Sequence, residues 1–329
     1  VQMYKIFFNT PVKISILPKK IKMIDFDQNK TSKNQKIKFD LFGENVEVYV
    51  KREDLLHPFV SGNKWRKLKY NLIRAKKENH STILTFGGAF SNHILAISFA
   101  CKILGFRSIG VIRGEEISEK IAENPTLNIA QKNGMKFHFI SREEYRKKHT
   151  EEFIENLQKQ FGTFYLIPEG GTNDLAVKGC EEILTEQDNF FDYICCSVGT
   201  GGTISGIINT SKSHQNVLGF SALKGNFLDN EIRKFTKNDR WKLFNEYHFG
   251  GYTRLNSDLI WFINEFKKQT NILLDPIYTG KMCYGIADLI HKNYFKKESK
   301  IVIVHTGGQQ GILGINQLLE QQNLPKINV

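Results

Sequence analysis

The sequence contains no run of about 18 apolar residues, so nothing in it reads as a membrane span. Its first eight residues, Val1 to Phe8, hold too short an apolar stretch for a signal peptide. Cysteine is scarce: Cys101, Cys180, Cys195, Cys196 and Cys283 are the five in 329 residues. None forms a Cys-x-x-Cys pair, which argues against a zinc site, and no other metal site is expected. Buried free thiols in a reduced cytoplasm are the expectation. Cys195 and Cys196 are adjacent in a predicted strand and should point to opposite faces. No internal repeat is visible.

What is present is an ordinary globular balance, 40% hydrophobic and 24% charged, in a chain long enough for two domains. The net charge of +12 raises the question of nucleic acid. The densest lysine stretch, Lys19 to Lys38, also carries Asp25 and Asp27. Its one aromatic residue, Phe26, falls short of the interleaved aromatics of a base-stacking platform. The stretch reads as a solvated segment, and no nucleic-acid or membrane partner is expected.

Apolar segments alternate with amphipathic ones along the middle of the chain. Strands are predicted at 82–86, 108–112, 136–140 and 163–167, with helices at 94–104, 125–133 and 143–160 between them. A second series has helices at 175–186 and 204–211 and strands at 193–198 and 216–220. Helices at 257–269 and 281–292 and a strand at 300–305 follow. The alternation predicts an α/β protein with parallel sheets. The turn Pro168-Glu169-Gly170-Gly171 is the predicted seam between two parallel-sheet domains.

Three turns carry candidate chemistry. Ser61-Gly62-Asn63-Lys64 precedes apolar residues at helical spacing, Trp65, Leu68, Leu72 and Ala75. Ser61 or Asn63 is the expected cap, which places Lys64 in or beside the first helical turn. The helix dipole and burial both disfavour its charge there. A neutral lysine amine is what condenses with an aldehyde. By spacing alone, a solvated surface lysine is the commoner outcome.

Gly199-Thr200-Gly201-Gly202-Thr203 lies between a strand and a helix, where successive N–H groups can face one anion. It matches neither the nucleotide P-loop nor the dinucleotide fingerprint, so a single phosphate is favoured over either, with a plain βα turn as the bland alternative. Gly87-Gly88-Ala89-Phe90-Ser91-Asn92-His93 is a second such turn, able to hold a carboxylate, to cap a helix, or both. Finally, a strand runs into His305-Thr306-Gly307-Gly308, and ligands bind at the carboxyl ends of such strands.

Together, KREDLLHP, SGNKWRKL, GGAFSNH, GTGGT, YTGKMCYG and HTGG, in this order over most of the chain, resemble one family. The chain is similar to the fold-type II enzymes that use pyridoxal 5'-phosphate (PLP), the tryptophan synthase β-subunit class. Within that class it resembles the D-cysteine desulfhydrase and 1-aminocyclopropane-1-carboxylate (ACC) deaminase family. The resemblance implies two open parallel-sheet domains. Residues 1–75 and 168–329 would form the large PLP-binding domain and residues 76–167 the small one. It implies that Lys64 carries PLP as a Schiff base and that Asn92 bonds its phenolic oxygen. Ser91, Asn92 and His93 would surround the substrate carboxylate. The backbone from Gly199 through Thr203 would cradle the phosphate, Tyr278 and Tyr252 would flank the substrate, and Thr306 would face the pyridine nitrogen. A homodimer acting on a small amino acid is also implied.

Two positions discriminate within the family. ACC deaminases carry a glutamate where this chain has Thr279 and a leucine where it has Thr306. Both residues are similar to the desulfhydrase side, and both are expected around the cofactor. A threonine hydroxyl does not demand a protonated pyridine nitrogen, which leaves a weaker electron sink. That suffices for a substrate with an α-proton and a good β-leaving group. The expected reaction is therefore α,β-elimination, D-cysteine giving pyruvate, sulfide and ammonia, with Lys64 or Tyr278 as base. ACC deamination to 2-oxobutanoate and a catalytically silent PLP-binding protein are the alternatives.

Overall fold

The computed structural model describes residues 31–329. The apolar start and the larger part of the lysine-rich stretch, residues 1–30, lie outside the described residues. The chain opens with β1 (Asn34–Ile37), β2 (Glu47–Lys51) and α1 (Asn63–Lys77). A β-α series follows: β3 (Thr82–Gly87), α2 (Asn92–Leu104), β4 (Arg107–Arg113), α3 (Pro125–Lys132), β5 (Lys136–Ile140), α4 (Arg142–Arg146), α5 (Glu151–Phe161) and β6 (Tyr165–Ile167). Next come α6 (Asp174–Cys180), β7 (Tyr193–Val198), α7 (Gly202–Thr210), β8 (Asn216–Ser221), α8 (Leu228–Arg233) and β9 (Trp241–Phe244). The last elements are α9 (Ser257–Thr270), α10 (Thr279–His291), β10 (Lys300–Val304) and α11 (Ile312–Gln321).

These strands form two open sheets, the α/β class expected. One has the order β5-β4-β3-β6 and is parallel throughout. The other has the order β1-β2-β10-β7-β8-β9 and is parallel except at β1. Helices cover both faces of the larger sheet, so its central strands are apolar on both sides. Cys196 and Val304 pack with Ile204 and Ile208 of α7, while Cys195 and Ile303 pack with Ile312 and Ile315 of α11. The neighbours β7 and β10 thus send the helices that follow them to opposite faces. Their carboxyl ends form the switch point at which open α/β sheets bind ligands.

Helix α1 joins the two sheets. Trp65, Leu68, Leu72 and Ala75 enter the core of the smaller sheet beside Ile83, Ile94 and Ile97. Burying each of the larger side chains contributes about 1.5–3 kcal/mol, an upper figure. The polar face of α1 turns the other way. Arg66 donates to Glu53 through Nε and Nη2, both at 2.9 Å, and Lys69 reaches Glu182 at 2.8 Å. Gly179 of α6 lies so close that a Cβ there would fall 2.0 Å from the Arg66 carbonyl oxygen. The KREDLLHP motif is thus a brace: Lys51 pairs with Asp188 at 2.8 Å, Arg52 with Asp54, and Glu53 with Arg66. Glu53→Ala should destabilise the protein by about 3–5 kcal/mol, because it leaves the Arg66 guanidinium buried against a lost partner. Denaturant unfolding with an unchanged slope would read that loss.

Some elements depart from expectation. The helix predicted over 143–160 is two helices, α4 and α5. Ser141 caps the first through Glu144 N at 3.0 Å, and Thr150 caps the second through Phe153 N at 3.4 Å. The helix predicted to run to 186 ends at Cys180. Strands β1, β2 and β9, four or five residues each, were not expected. Among the described residues no helix is long and apolar enough to cross a membrane.

Candidate active site

A cavity of about 770 Å³ opens at the carboxyl ends of β7 and β10, and both sheets contribute to its wall. Lys64, Ser91, Asn92, His93, Gly199, Thr200, Gly201, Thr203, Tyr252, Tyr278 and Thr306 all line it. Two predicted site residues, Gly202 and Thr279, stand behind the wall.

Lys64 reaches the cavity because α1 starts against the end of β10. Asn63 N donates to Thr306 O at 3.2 Å. Gly62 has φ +60°, and a Cβ there would lie 2.0 Å from that same oxygen, so no larger residue fits. Neither expected cap is used. The N-cap is Gly62 itself, without a side-chain bond. Ser61 Oγ instead donates to Asp54 O at 3.3 Å, and Asn63 Nδ2 to Thr203 Oγ1 at 2.8 Å. Ser61 is drawn back to the KREDLLHP segment seven residues before it, and Asn63 to the glycine turn 140 residues on. Lys64 Nζ donates to Asn63 Oδ1 at 3.2 Å. Its side chain keeps some contact with the cavity. Removal from water, and then the ammonium of Lys67, lowers its pKa to about 7, so the amine is half neutral there.

The glycine turn after β7 faces Lys67, one helical turn beyond Lys64. Lys67 Nζ donates to Gly170 O at 3.0 Å, Thr172 Oγ1 at 2.9 Å and Thr200 Oγ1 at 3.3 Å. These are neutral oxygens, and no ion pair is formed by Lys67 among the described residues. Burial lowers its pKa. A Cβ on Gly202 would lie 3.3 Å from Lys67 Nζ, and Gly201 has φ +85°. The N-terminus of α7 has no side-chain cap. A buried cation therefore stands beside uncapped N–H groups, an arrangement that an anion completes.

The second turn is a cap. Ser91 Oγ accepts from Ile94 N at 3.3 Å to start α2, which leaves its own O–H to donate. Asn92 turns towards Gly308 and Asp275, since a Cβ on Gly308 would lie 2.8 Å from Asn92 Nδ2 and 2.7 Å from Asp275 Oδ2. His93 Nε2 lies 2.9 Å from Thr85 Oγ1, whose proton goes to Ile167 O at 2.8 Å. Burial, then Lys64 and Lys67, hold His93 well below its usual pKa and therefore neutral. It shapes the wall but brings no charge to a carboxylate.

Opposite, the rings of Tyr252 and Tyr278 meet edge to face at 5.8 Å between centroids. Burial raises the Tyr252 pKa to about 12. Burial, and then Tyr252, raises Tyr278 further. Thr306 Oγ1 lies 3.3 Å from Ser197 Oγ, at the ends of β10 and β7. Thr279 is fully buried, and its hydroxyl is committed to Asp275, accepting from its N at 2.8 Å and donating to its O at 3.3 Å. That backbone commitment is why it stands apart from the cavity.

The family model for pyridoxal-phosphate dependent enzymes matches residues 36–307. The chain belongs to that family. It uses PLP, and its relatives within the family fit the resemblance read from its motifs. It is 31% identical to a Pyrococcus horikoshii protein whose name proposes ACC deaminase, over 81% of this chain and 86% of that one. It is 30% identical to a mitochondrial Arabidopsis thaliana protein named bifunctional D-cysteine desulfhydrase/ACC deaminase, over 81% of this chain and 73% of that one. The solved structure of an ACC deaminase homologue superposes with a TM-score of 0.75 at 28% identity, covering 89% of this chain and 94% of that one.

The residues present fit PLP. A lysine amine near neutrality suits the aldehyde, and a buried cation beside an uncapped helix suits the phosphate. The sequence did not single out Lys67, Asn63, Ser197, Thr172 or Asp275. Lys67 had a usable signal, since residues i and i+3 share a helix face. The others lie within three residues of a motif, but the partners that give them their place, such as Thr203 for Asn63 and Thr306 for Ser197, are more than 100 residues away.

Proposed function

We propose that the chain catalyses α,β-elimination from a small amino acid, D-cysteine foremost, to pyruvate, sulfide and ammonia. The observation that carries this is the hydroxyl pair Ser197 and Thr306 at the ends of β7 and β10. The carboxylates in the cavity wall, Glu169 and Glu231, stand elsewhere, one on the 168–171 turn and one on α8. With hydroxyls at that end, a substrate bearing an α-proton and a good leaving group is favoured over ring opening of ACC.

The roles follow from position and charge. Lys64 would carry PLP, and its neutral amine would take the α-proton. Tyr278 is held protonated and would serve as a donor rather than the base. The Ser91 hydroxyl and the Asn92 amide would hold the substrate carboxylate, and Tyr252 would close the other side. Asn92 would also reach the phenolic oxygen, and Thr306 the pyridine nitrogen. The 199–203 backbone with Lys67 would hold the phosphate. Bound PLP supplies the electron sink that makes the α-proton removable. Residues 1–75 with 168–329 as the large domain, residues 76–167 as the small one, and a cytoplasmic homodimer complete the proposal.

Purified protein supplied with PLP and D-cysteine should release pyruvate and sulfide in equal amounts. No product from D-cysteine, but 2-oxobutanoate from ACC, would replace this proposal with the deaminase. No turnover of either, in a protein that binds PLP, would leave the non-catalytic alternative.

A further inference from the structure

Lys281 is the third residue of α10 and is 1% exposed. Its Nζ donates to His248 O at 2.9 Å, Gly251 O at 2.6 Å and Tyr252 O at 3.3 Å. An ammonium has three protons, and each finds a carbonyl of one short loop. No carboxylate pairs with Lys281 among the described residues. Burying a cation against neutral oxygens alone is costly, and a hydrocarbon of equal size would fill the same space. What the charge does is gather three carbonyls.

The gathered loop turns through three residues of positive φ, Phe249, Gly250 and Gly251 at +54°, +93° and +128°. The glycines take such values freely, but Phe249 is strained there and persists only where its surroundings over-determine it. Gly250 N donates to His248 Nδ1 at 2.8 Å and Gly251 N to His248 O at 3.0 Å, but these bonds lie within the loop. Lys281 ties it to the rest of the protein. The loop ends at Tyr252, and α10 is preceded directly by Tyr278, so one helix start sets both cavity tyrosines.

We propose that Lys281 is a positioning residue: its ammonium clamps the 248–252 loop, holds Tyr252 edge-on to Tyr278, and releases the loop when it loses its proton. The clamp concerns the cavity taken above as the active site, and its effect on catalysis rests on that reading. Burial lowers the Lys281 pKa to about 8, against a smaller raising effect from Asp275. The other titratable groups at hand are Asp275, pushed up to about 7 by burial and so charged above that, Tyr252 and Tyr278, both held protonated by burial, and His248 within the loop. The sign is therefore fixed. The clamp is closed below about pH 8 and open above it.

Amide hydrogen exchange of the 248–254 segment in the PLP-loaded protein tests this without relying on turnover. Between pH 6.5 and 9.5, exchange in wild type should rise at least about tenfold beyond the intrinsic pH effect. Lys281→Arg, charged throughout, should keep the segment protected across that range. Lys281→Met should exchange fast at both ends of it. In kinetics, Lys281→Arg should shift the alkaline fall of kcat/KM upward. Wild-type exchange that stays flat across this range would overturn the clamp even if Lys281→Met failed to fold. Loop opening in a protein that turns over neither D-cysteine nor ACC would keep the clamp and remove the elimination.

Discussion

Lys64→Ala is expected to abolish covalent attachment of PLP and to lower kcat/KM for elimination by about a thousandfold or more. The first effect follows because the lysine supplies the amine. The second follows because a positioned base contributes about 10²- to 10⁴-fold, and here the same residue also anchors the cofactor. Lys67 and the 199–203 turn are untouched by the substitution, so the variant should still bind PLP non-covalently. Loss of the borohydride-reducible adduct with retained, dialysable PLP separates this outcome from unfolding. The wild-type amine adds a pH signature. With a pKa of about 7, its neutral fraction grows as pH rises through 7. Covalent uptake of PLP by apoprotein should accelerate across that range and level off above it.

Lys67→Met is expected to weaken PLP binding by about 10- to 100-fold, the worth of one charge-assisted hydrogen bond to an anion. The same change should leave the apoprotein as stable as wild type or more so, because it removes a buried cation that faces only neutral oxygens. Few substitutions weaken a ligand while strengthening its empty site. Titration with PLP and with pyridoxal, which lacks the phosphate, isolates the cause. The loss should appear for PLP and largely vanish for pyridoxal. Equal losses for both would place Lys67 away from the phosphate.

The alternation of apolar and amphipathic segments was enough to read the smaller sheet, because its strands are largely apolar runs bounded by turns, such as Ile83-Leu84-Thr85-Phe86. The short strands β1 and β9 are polar in places and carry no clear periodicity, and the alternation of Val48 and Val50 in β2 runs over too few residues to mark a strand. The break between α4 and α5 was missed because Lys147, Lys148 and His149 interrupt no apolar stripe. The break nonetheless sets His149 on the cavity wall and Lys148 3.4 Å from Glu169.

In the site, residues beside a glycine turn were legible, since glycine marks where backbone must face a ligand or another backbone. Gly62 against Thr306 is the clearest case: the turn was visible, but not what it turns against. The capping roles were misassigned for the same reason. Ser61 and Asn63 suit a helix N-terminus locally, and the Asp54 carbonyl just upstream and the distant Thr203 hydroxyl outcompete that use. Thr279 was expected at the cofactor from the family resemblance, as one of the two discriminating positions, but its hydroxyl is held by the Asp275 backbone. Lys281 was visible only as part of a motif, since its three carbonyl partners lie about 30 residues upstream.

The central claim is that the Lys64 amine is the covalent anchor of PLP. Borohydride reduction of the PLP-loaded protein, followed by peptide mass mapping, tests it most directly. One pyridoxyl group per chain on the peptide containing Lys64 is the predicted result. A stoichiometric label on Lys67, Lys281 or any other lysine, with Lys64 unmodified, would contradict it.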